Sequence, residues 1–399
     1  MSNAGGRRRR KWFAVAVGLG LLCATDAAVC ATLLRDGLFR GRPLPPFGAI
    51  TNPGQRDWLE SLQPAGAADP DRGPGRFDAD LGWSNLASYS TPNGSVTVDS
   101  IGARGPREYA RTPPAGTLRV TCFGDSFTWC DVVSDDDAWP RRVERLRSDT
   151  EMINFGVSGY GTDQALLRFR HQGRGLGADV VLIGVMLDNI GRNVNRYRPF
   201  WYPRSRACVA KPRFLIRGDE LVAVPIPFAS QTELARAVRD GSVVGLLAEH
   251  EYWRDPALGP LRYSALGRLA AGYFAYERRS VPRLWLDSQG EPFRVTRAIV
   301  GAFRDEARAD GARSVAVLLF PREDDLSELL ASATRYWQPF ADELNADGIR
   351  VIDLSVALAA AARAPDAPSL YEGGHLNAFG NLAVARTVAD WLEARRDGL

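Results

Sequence analysis

From Trp12 to Leu34 the chain is apolar apart from Thr25, Asp26 and Thr32, and five consecutive basic residues, Arg7 to Lys11, stand directly before it. A run of roughly 20 residues at about 1.5 Å rise crosses a hydrocarbon core about 30 Å thick, so the pattern predicts a single membrane-spanning helix over 12–34. Positive charge ahead of the span predicts an inside N-terminus and a body outside, which places the protein in a cell inner membrane with its folded part extracytoplasmic. Asp26 opposes this assignment but sits toward the outer end, where a carboxylate is least costly. Two other readings compete: a cleaved signal peptide, for which Ala27 to Ala31 supplies small residues, and a soluble apolar helix behind a nuclear-type basic cluster. A lipoprotein site is disfavoured, because Leu22 and Val29 precede Cys23 and Cys30 where a small residue is wanted.

Beyond the span, residues 35–76 are rich in Pro and Gly with little periodicity and are expected to form a stalk. The folded domain is then expected over 77–395, beginning with short strand-like stretches up to about Arg111 that turn at Pro92-Asn93-Gly94 and at Gly102 to Pro106. From Leu118 the pattern alternates. Apolar, β-branched runs at Leu118–Phe123, Glu151–Phe155, Asp179–Val185, Ser314–Phe320 and Ile349–Leu354 predict buried strands. Helical stretches are expected at Trp139–Arg147, Gln164–Arg174, Arg297–Asp310, Tyr336–Ala346 and Ala378–Glu393. Strands without polar alternation, separated by helices, predict an α/β fold: a parallel sheet covered on both faces, hence three αβα layers. Residues 190–295 interrupt the alternation with a hairpin at Phe214–Val224, turning on Gly218-Asp219, and further helices; this is expected to be an insertion in the catalytic domain.

Composition narrows the classes. With 399 residues, 45% of them hydrophobic, the chain has ample material for a core. Its 50 basic residues exceed its 47 acidic ones only because residues 1–42 hold eight basic against two acidic, which leaves 42 against 45 in the remainder. A slightly acidic body argues against nucleic-acid partners. The five cysteines, Cys23, Cys30, Cys122, Cys130 and Cys208, show no metal-binding spacing, and Cys130 with Cys208 is the one pair considered for a bridge.

In a parallel sheet the working groups collect at the carboxyl ends of the strands. Gly124-Asp125-Ser126 follows the first buried strand and opens a helix, although Asp and Ser are also ordinary turn and N-cap residues. A serine hydroxyl becomes a nucleophile when a base takes its proton, so a histidine must reach it. His171 lies in a polar helical stretch and His250 among the acids Glu249 and Glu251, both read as surface positions. His375 instead sits in the loop Tyr371 to Asn377, after the last strand and before the final helix, and Glu372, three residues ahead, is a carboxylate able to orient an imidazole.

These residues resemble the four short blocks of the SGNH, or GDSL, hydrolases. The nucleophile block matches Gly124-Asp125-Ser126-Phe127-Thr128; the glycine block matches Asn154 to Gly161, with Gly159 in the role; the asparagine block matches Gly184 to Asn189; and the acid-to-histidine block matches Glu372 to His375. The resemblance, which covers about 115–190 and 310–395, implies a flavodoxin-like fold and a triad of Ser126, His375 and Glu372. It also implies an oxyanion hole made by the N–H groups of Ser126 and Gly159 and the amide of Asn189, with no metal or organic cofactor. Two departures stand out. Asp188 precedes Asn189 where the family writes Asn before Asp, which leaves Asn193 and Asn195 as alternatives; and Glu372 replaces the family's Asp, which leaves Asp353 as a minor alternative.

The resemblance further implies a serine esterase or acyltransferase. With the membrane span, the leading expectation is an enzyme acting on O-acetyl groups of extracytoplasmic carbohydrate. Eight aromatic residues in or near the insertion, among them Trp201, Tyr252, Trp253 and Trp285, offer faces for sugar rings, though such residues also serve as core. A lipase-like carboxylesterase and a noncatalytic carbohydrate-binding or assembly module are the alternatives.

Overall fold

The computed structural model describes residues 4–34, 37–40, 42–62, 75–253 and 258–395. Five strands form one parallel sheet: β1 (Leu118–Phe123), β2 (Thr150–Asn154), β3 (Val180–Met186), β4 (Ser314–Phe320) and β5 (Arg350–Asp353), in the order β5-β4-β3-β1-β2. This is the doubly wound 2-1-3-4-5 arrangement, in which the strand order reverses between β1 and β3 and opens a crevice at their carboxyl ends.

The apolar strand side chains divide between two cores along the two-residue period. Val180, Leu182, Ala316 and Leu318 face a core shared with helices Trp139–Leu146, Leu354–Ala362 and Ala378–Glu393. Val181, Ile183, Val315 and Val317 face a second core shared with helices Thr162–Arg168 and Glu291–Ala309. Burial on both faces explains why these strands read as continuous apolar runs, and it makes the fold three-layer αβα as expected. The first and fourth strands and the last helix fall where the sequence placed them. Helices Glu323–Ser332 and Leu354–Ala362 were not anticipated.

The insertion contains the expected hairpin, Arg213–Arg217 with Glu220–Val224. It packs into the domain: Phe214, Leu234, Val238, Val243, Leu247 and Trp253 belong to the same core as the sheet face. Two of its indoles reach back to the loop after β3, Trp285 Nε1 donating to Leu187 O at 2.8 Å and Trp253 Nε1 to Gly191 O at 3.2 Å.

Two expectations are corrected here. The stretch read as a stalk is docked over its described residues. Helix Pro53–Glu60 is capped by Asn52, Gln55 is fully buried, and Phe47, Ala49 and Leu59 join the main core. Thr51 and Gln55 bond the carbonyls of Pro203 and Ser205, while Tyr197 Oη donates to Ala49 O. Sparse apolar anchors in a Pro/Gly background therefore fix this segment to the insertion; residues 63–74 lie outside the described residues. The second correction concerns Cys130 and Cys208, which are free thiols buried in opposite cores.

The helix Ala4–Leu33 carries an apolar window of membrane-spanning length with none of it buried. Its C-terminal end packs on helix Ala265–Arg278 in a cluster of Cys30, Leu34, Leu44 and Ala265, and Asp26 accepts a hydrogen bond from Leu266 N at 3.0 Å.

Candidate active site

β1 delivers its chain directly into a four-residue helix, Ser126–Trp129. Asp125 caps it, accepting from Phe127 N at 2.8 Å, and Cys130 ends it in the left-handed region at φ 68°, its N–H closing onto Ser126 O. The close approach needs glycine: a Cβ on Gly124 would lie 2.2 Å from Thr128 Oγ1 and 2.9 Å from Gly184 O. Ser126 thus stands at the reversal point of the sheet, 3% exposed.

His375 arrives from the far end of the chain on a tight hairpin, Tyr371–Glu372 with His375–Leu376, turned by Gly373 and Gly374 at φ 55° and 79°. Positive φ at both turn residues is the signature of a type I′ turn. The hairpin brings His375 Nε2 to 3.0 Å from Ser126 Oγ, and the imidazole packs on the Phe127 ring at 5.5 Å.

Glu372 does not meet the expectation placed on it. It is exposed and makes no hydrogen bond to the imidazole among the described residues; Nδ1 lies 3.3 Å from Gly373 O instead. The tight turn puts a backbone carbonyl where an acid was expected, while the longer Glu side chain extends into water. Asp353 is no substitute, since it caps helix Leu354–Ala362 at Ser355 N and accepts from Trp337 Nε1.

A different carboxylate, unrecognised in the sequence, is present. Asp131 Oδ2 lies 3.5 Å from His375 Nε2 and accepts from Ser158 Oγ at 2.8 Å. Burial pushes its carboxyl upward, with the neighbouring imidazole opposing. Because it faces the nitrogen that also faces Ser126, it cannot orient the ring from behind as a triad acid does. Its position just past the nucleophile helix was the available signal.

The second block loop runs beside Ser126, tied down by Val157 N to Gly124 O and Asn85 Nδ2 to Gly156 O. Gly159 adopts φ 79°, and among the described residues neither its N–H nor that of Ser126 has a hydrogen-bond partner. Such N–H groups can receive a developing oxyanion. Asn189 is fully buried beside Asp125, whose carboxyl its amide helps to hold down, but among the described residues neither amide atom meets a partner at full hydrogen-bond geometry. Asn193 and Asn195 are committed elsewhere, to Thr296 and to Tyr197 O and Glu251, which leaves Asn189 as the open amide of the three. Burial raises the Asp125 carboxyl; Arg192, 3.9 Å away, opposes this.

Arg104 holds the assembly from below. Its guanidinium is buried, pairs with Asp135 at 2.8 Å, and donates to the carbonyls of Trp129, Cys130 and Val133. Asn154 completes the support, bonding Thr128 O and Gly156 N. Arg104→Met is expected to leave those carbonyls and Asp135 unpaired, destabilising the protein by about 3 kcal/mol or more. Urea unfolding of the variant against the parent measures this directly.

No family model matches the chain, and no curated protein does. Solved structures give distant likenesses. One is a lipolytic protein of the G-D-S-L family from Desulfitobacterium hafniense, at 11% identity, covering 69% of this chain and 99% of that one, with a TM-score of 0.33. Another is a GDSL-like lipase from Bacteroides thetaiotaomicron, at 11% identity, 71% and 91% coverage and a TM-score of 0.33. A third is a catalytic mutant of an acetylxylan esterase from Geobacillus stearothermophilus, at 12% identity, 70% and 94% coverage and a TM-score of 0.32. At such identities and scores the chemistry has to be read from this chain's own site.

Proposed function

We propose that the protein is a serine-nucleophile enzyme acting on ester bonds. The observation that carries this is the 3.0 Å approach of His375 Nε2 to Ser126 Oγ at the reversal point of the sheet, beside the N–H groups of Ser126 and Gly159, which have no hydrogen-bond partner among the described residues. In this reading His375 takes the Ser126 proton as Oγ attacks the ester carbonyl. The N–H groups of Ser126 and Gly159 and the amide of Asn189 receive the oxyanion. The imidazolium then protonates the leaving alkoxide, and water or another hydroxyl releases the acyl group from Ser126 by the same steps in reverse. The Gly373 carbonyl at Nδ1 favours the tautomer that leaves Nε2 free to accept.

The substrate we assign is an O-acyl group, foremost O-acetyl, on carbohydrate. The supporting features are Trp83 and Trp201, half-buried at the rim of the second block loop, and the cationic side chains among which they stand, surroundings ill suited to a long acyl chain. Incubation with a fluorophosphonate probe is expected to label wild-type protein at Ser126 and to leave a Ser126→Ala variant unlabelled. Absence of labelling in folded wild-type protein overturns the enzyme reading in favour of a noncatalytic module.

We also read helix Ala4–Leu33 as a membrane anchor with the body outside. The five basic residues before it support that orientation, and the hydrogen bond from Leu266 to Asp26 gives the one acid of the span a partner on the body. The body would then be seated against the bilayer rather than carried on a free stalk. Alkaline phosphatase fused after Leu399 is expected to be active, and a silent phosphatase with a working cytoplasmic reporter reverses the topology.

A further inference from the structure

Beside the Ser158–Tyr160 loop lies a shallow cleft, open to solvent, lined by Trp83, Gly159, Arg192, Arg198, Trp201 and Lys211. Three cations in one cleft mean little if each is neutralised within the protein, and two of them are. Lys211 Nζ is paired with the buried Asp163. Arg192 lies 3.5 Å from Asp188 and 3.9 Å from Asp125, and donates to Tyr160 O. Arg198 differs. Its Nε donates to Ser205 Oγ at 3.1 Å and its Nη1 to Gly159 O at 3.3 Å, but among the described residues no carboxylate comes within ion-pair distance and Nη2 makes no hydrogen bond.

We propose that this cleft is a subsite for a carboxylate-bearing sugar, with the Arg198 guanidinium as the ligand of the carboxylate. The proposal rests on the ester-enzyme reading for its purpose and narrows the substrate to an acidic carbohydrate. A guanidinium offers a planar fork matched to a carboxylate, and desolvation strengthens the pairing. Burial and the neighbouring Arg192 draw the Arg198 pKa down to about 10 against the opposing pull of Asp188 and Asp131, neither of which comes within ion-pair distance, and the group stays charged at neutral pH. With Asp188 and Asp131 already nearby, a phosphate dianion would be repelled more strongly than a singly charged uronate-type carboxylate.

The indoles supply the rest of a sugar site. Trp83 Nε1 is taken by Ser158 O and Trp201 Nε1 by Asp188 Oδ2, each at 3.0 Å, so what these side chains offer to a ligand is their apolar ring surface. Trp201 is braced from behind by Trp253, with ring centroids 5.0 Å apart. Gly159 joins the subsite to the chemistry: its N–H faces the proposed oxyanion and its carbonyl receives Arg198. An anion held by Arg198 therefore sits one residue from the reacting carbonyl, on the acylated sugar or on its neighbour in the polymer.

The test separates binding from turnover. Full-length Ser126→Ala protein in detergent micelles is titrated by calorimetry with a trigalacturonate, with its methyl ester, which keeps the shape and removes the charge, and with a sugar phosphate. The acid is expected to bind at least tenfold more tightly than the ester. That preference should vanish in Ser126→Ala/Arg198→Gln and be reduced several-fold in Ser126→Ala/Arg198→Lys, which retains the charge without the fork. The lysine variant keeps the test valid should the glutamine variant fail to fold. Equal affinity for acid and ester, or a preference that survives both substitutions, overturns the proposal, and tighter binding of the phosphate overturns the choice of carboxylate. Labelling of Ser126 is read separately: labelling without discrimination removes the subsite alone, and discrimination without labelling removes the enzyme reading alone.

Discussion

Ser126→Ala is expected to lower kcat/KM for a small acetyl ester by about a thousandfold or more, the loss typical when the nucleophile of a concerted unit is removed. The fold should hardly notice. Among the described residues the Ser126 side chain makes one hydrogen bond, to His375, while the turn that carries it is fixed by Asp125, Arg104 and Asn154. Removing one hydroxyl from such a site costs on the order of 1 kcal/mol, which for a domain of this size is a shift of a few degrees at most in melting temperature. A chromogenic ester assay beside a thermal melt checks both halves. A folded variant retaining a tenth or more of the parent's activity would remove Ser126 from the mechanism.

The parts of the molecule legible in the sequence share one property: their signal is local. β1, β4 and the final helix were readable because strands buried on both faces show unbroken β-branched runs, and because the helix opens after a capping Asn377. Ser126 was legible for the related reason that it directly follows a strand at the edge where a parallel sheet exposes its loops, whereas His375 was read as coming after the last strand although helix Leu354–Ala362 stands between them. What escaped is long-range. Arg104 lies in a short turn-rich lead-in and reveals its task only once Trp129 and Cys130 are folded over it. Asp131 is one acid among several between Asp125 and Asp137, and nothing in its neighbours' identities says that it faces a histidine 244 positions away. The segment after the N-terminal helix was misjudged because Pro and Gly content reports the stiffness of an isolated chain. Whether Leu59 and Gln55 find a surface is a property of the insertion they meet.

The histidine block shows the same limit and yields the sharpest contrast in activity. His375→Ala is expected to cost nearly as much as loss of Ser126, because a nucleophile without its base gains little from the oxyanion donors, and the double variant should be scarcely worse than either single one. Glu372→Gln, by comparison, is expected to change kcat/KM by less than about threefold. The carboxylate is exposed, so its influence on the imidazole is screened by water, and the Nδ1 side of the ring already faces Gly373 O. Asp353→Asn should leave turnover close to the parent's and show its effect in stability, through the cap it makes for helix Leu354–Ala362. Measuring kcat/KM for the three single variants and the double variant on one acetyl ester decides the assignment. A loss of a hundredfold or more in Glu372→Gln would mean that the hairpin closes on substrate to bring the acid behind His375, restoring a three-membered unit; a small loss leaves a serine–histidine pair held in register by a backbone carbonyl.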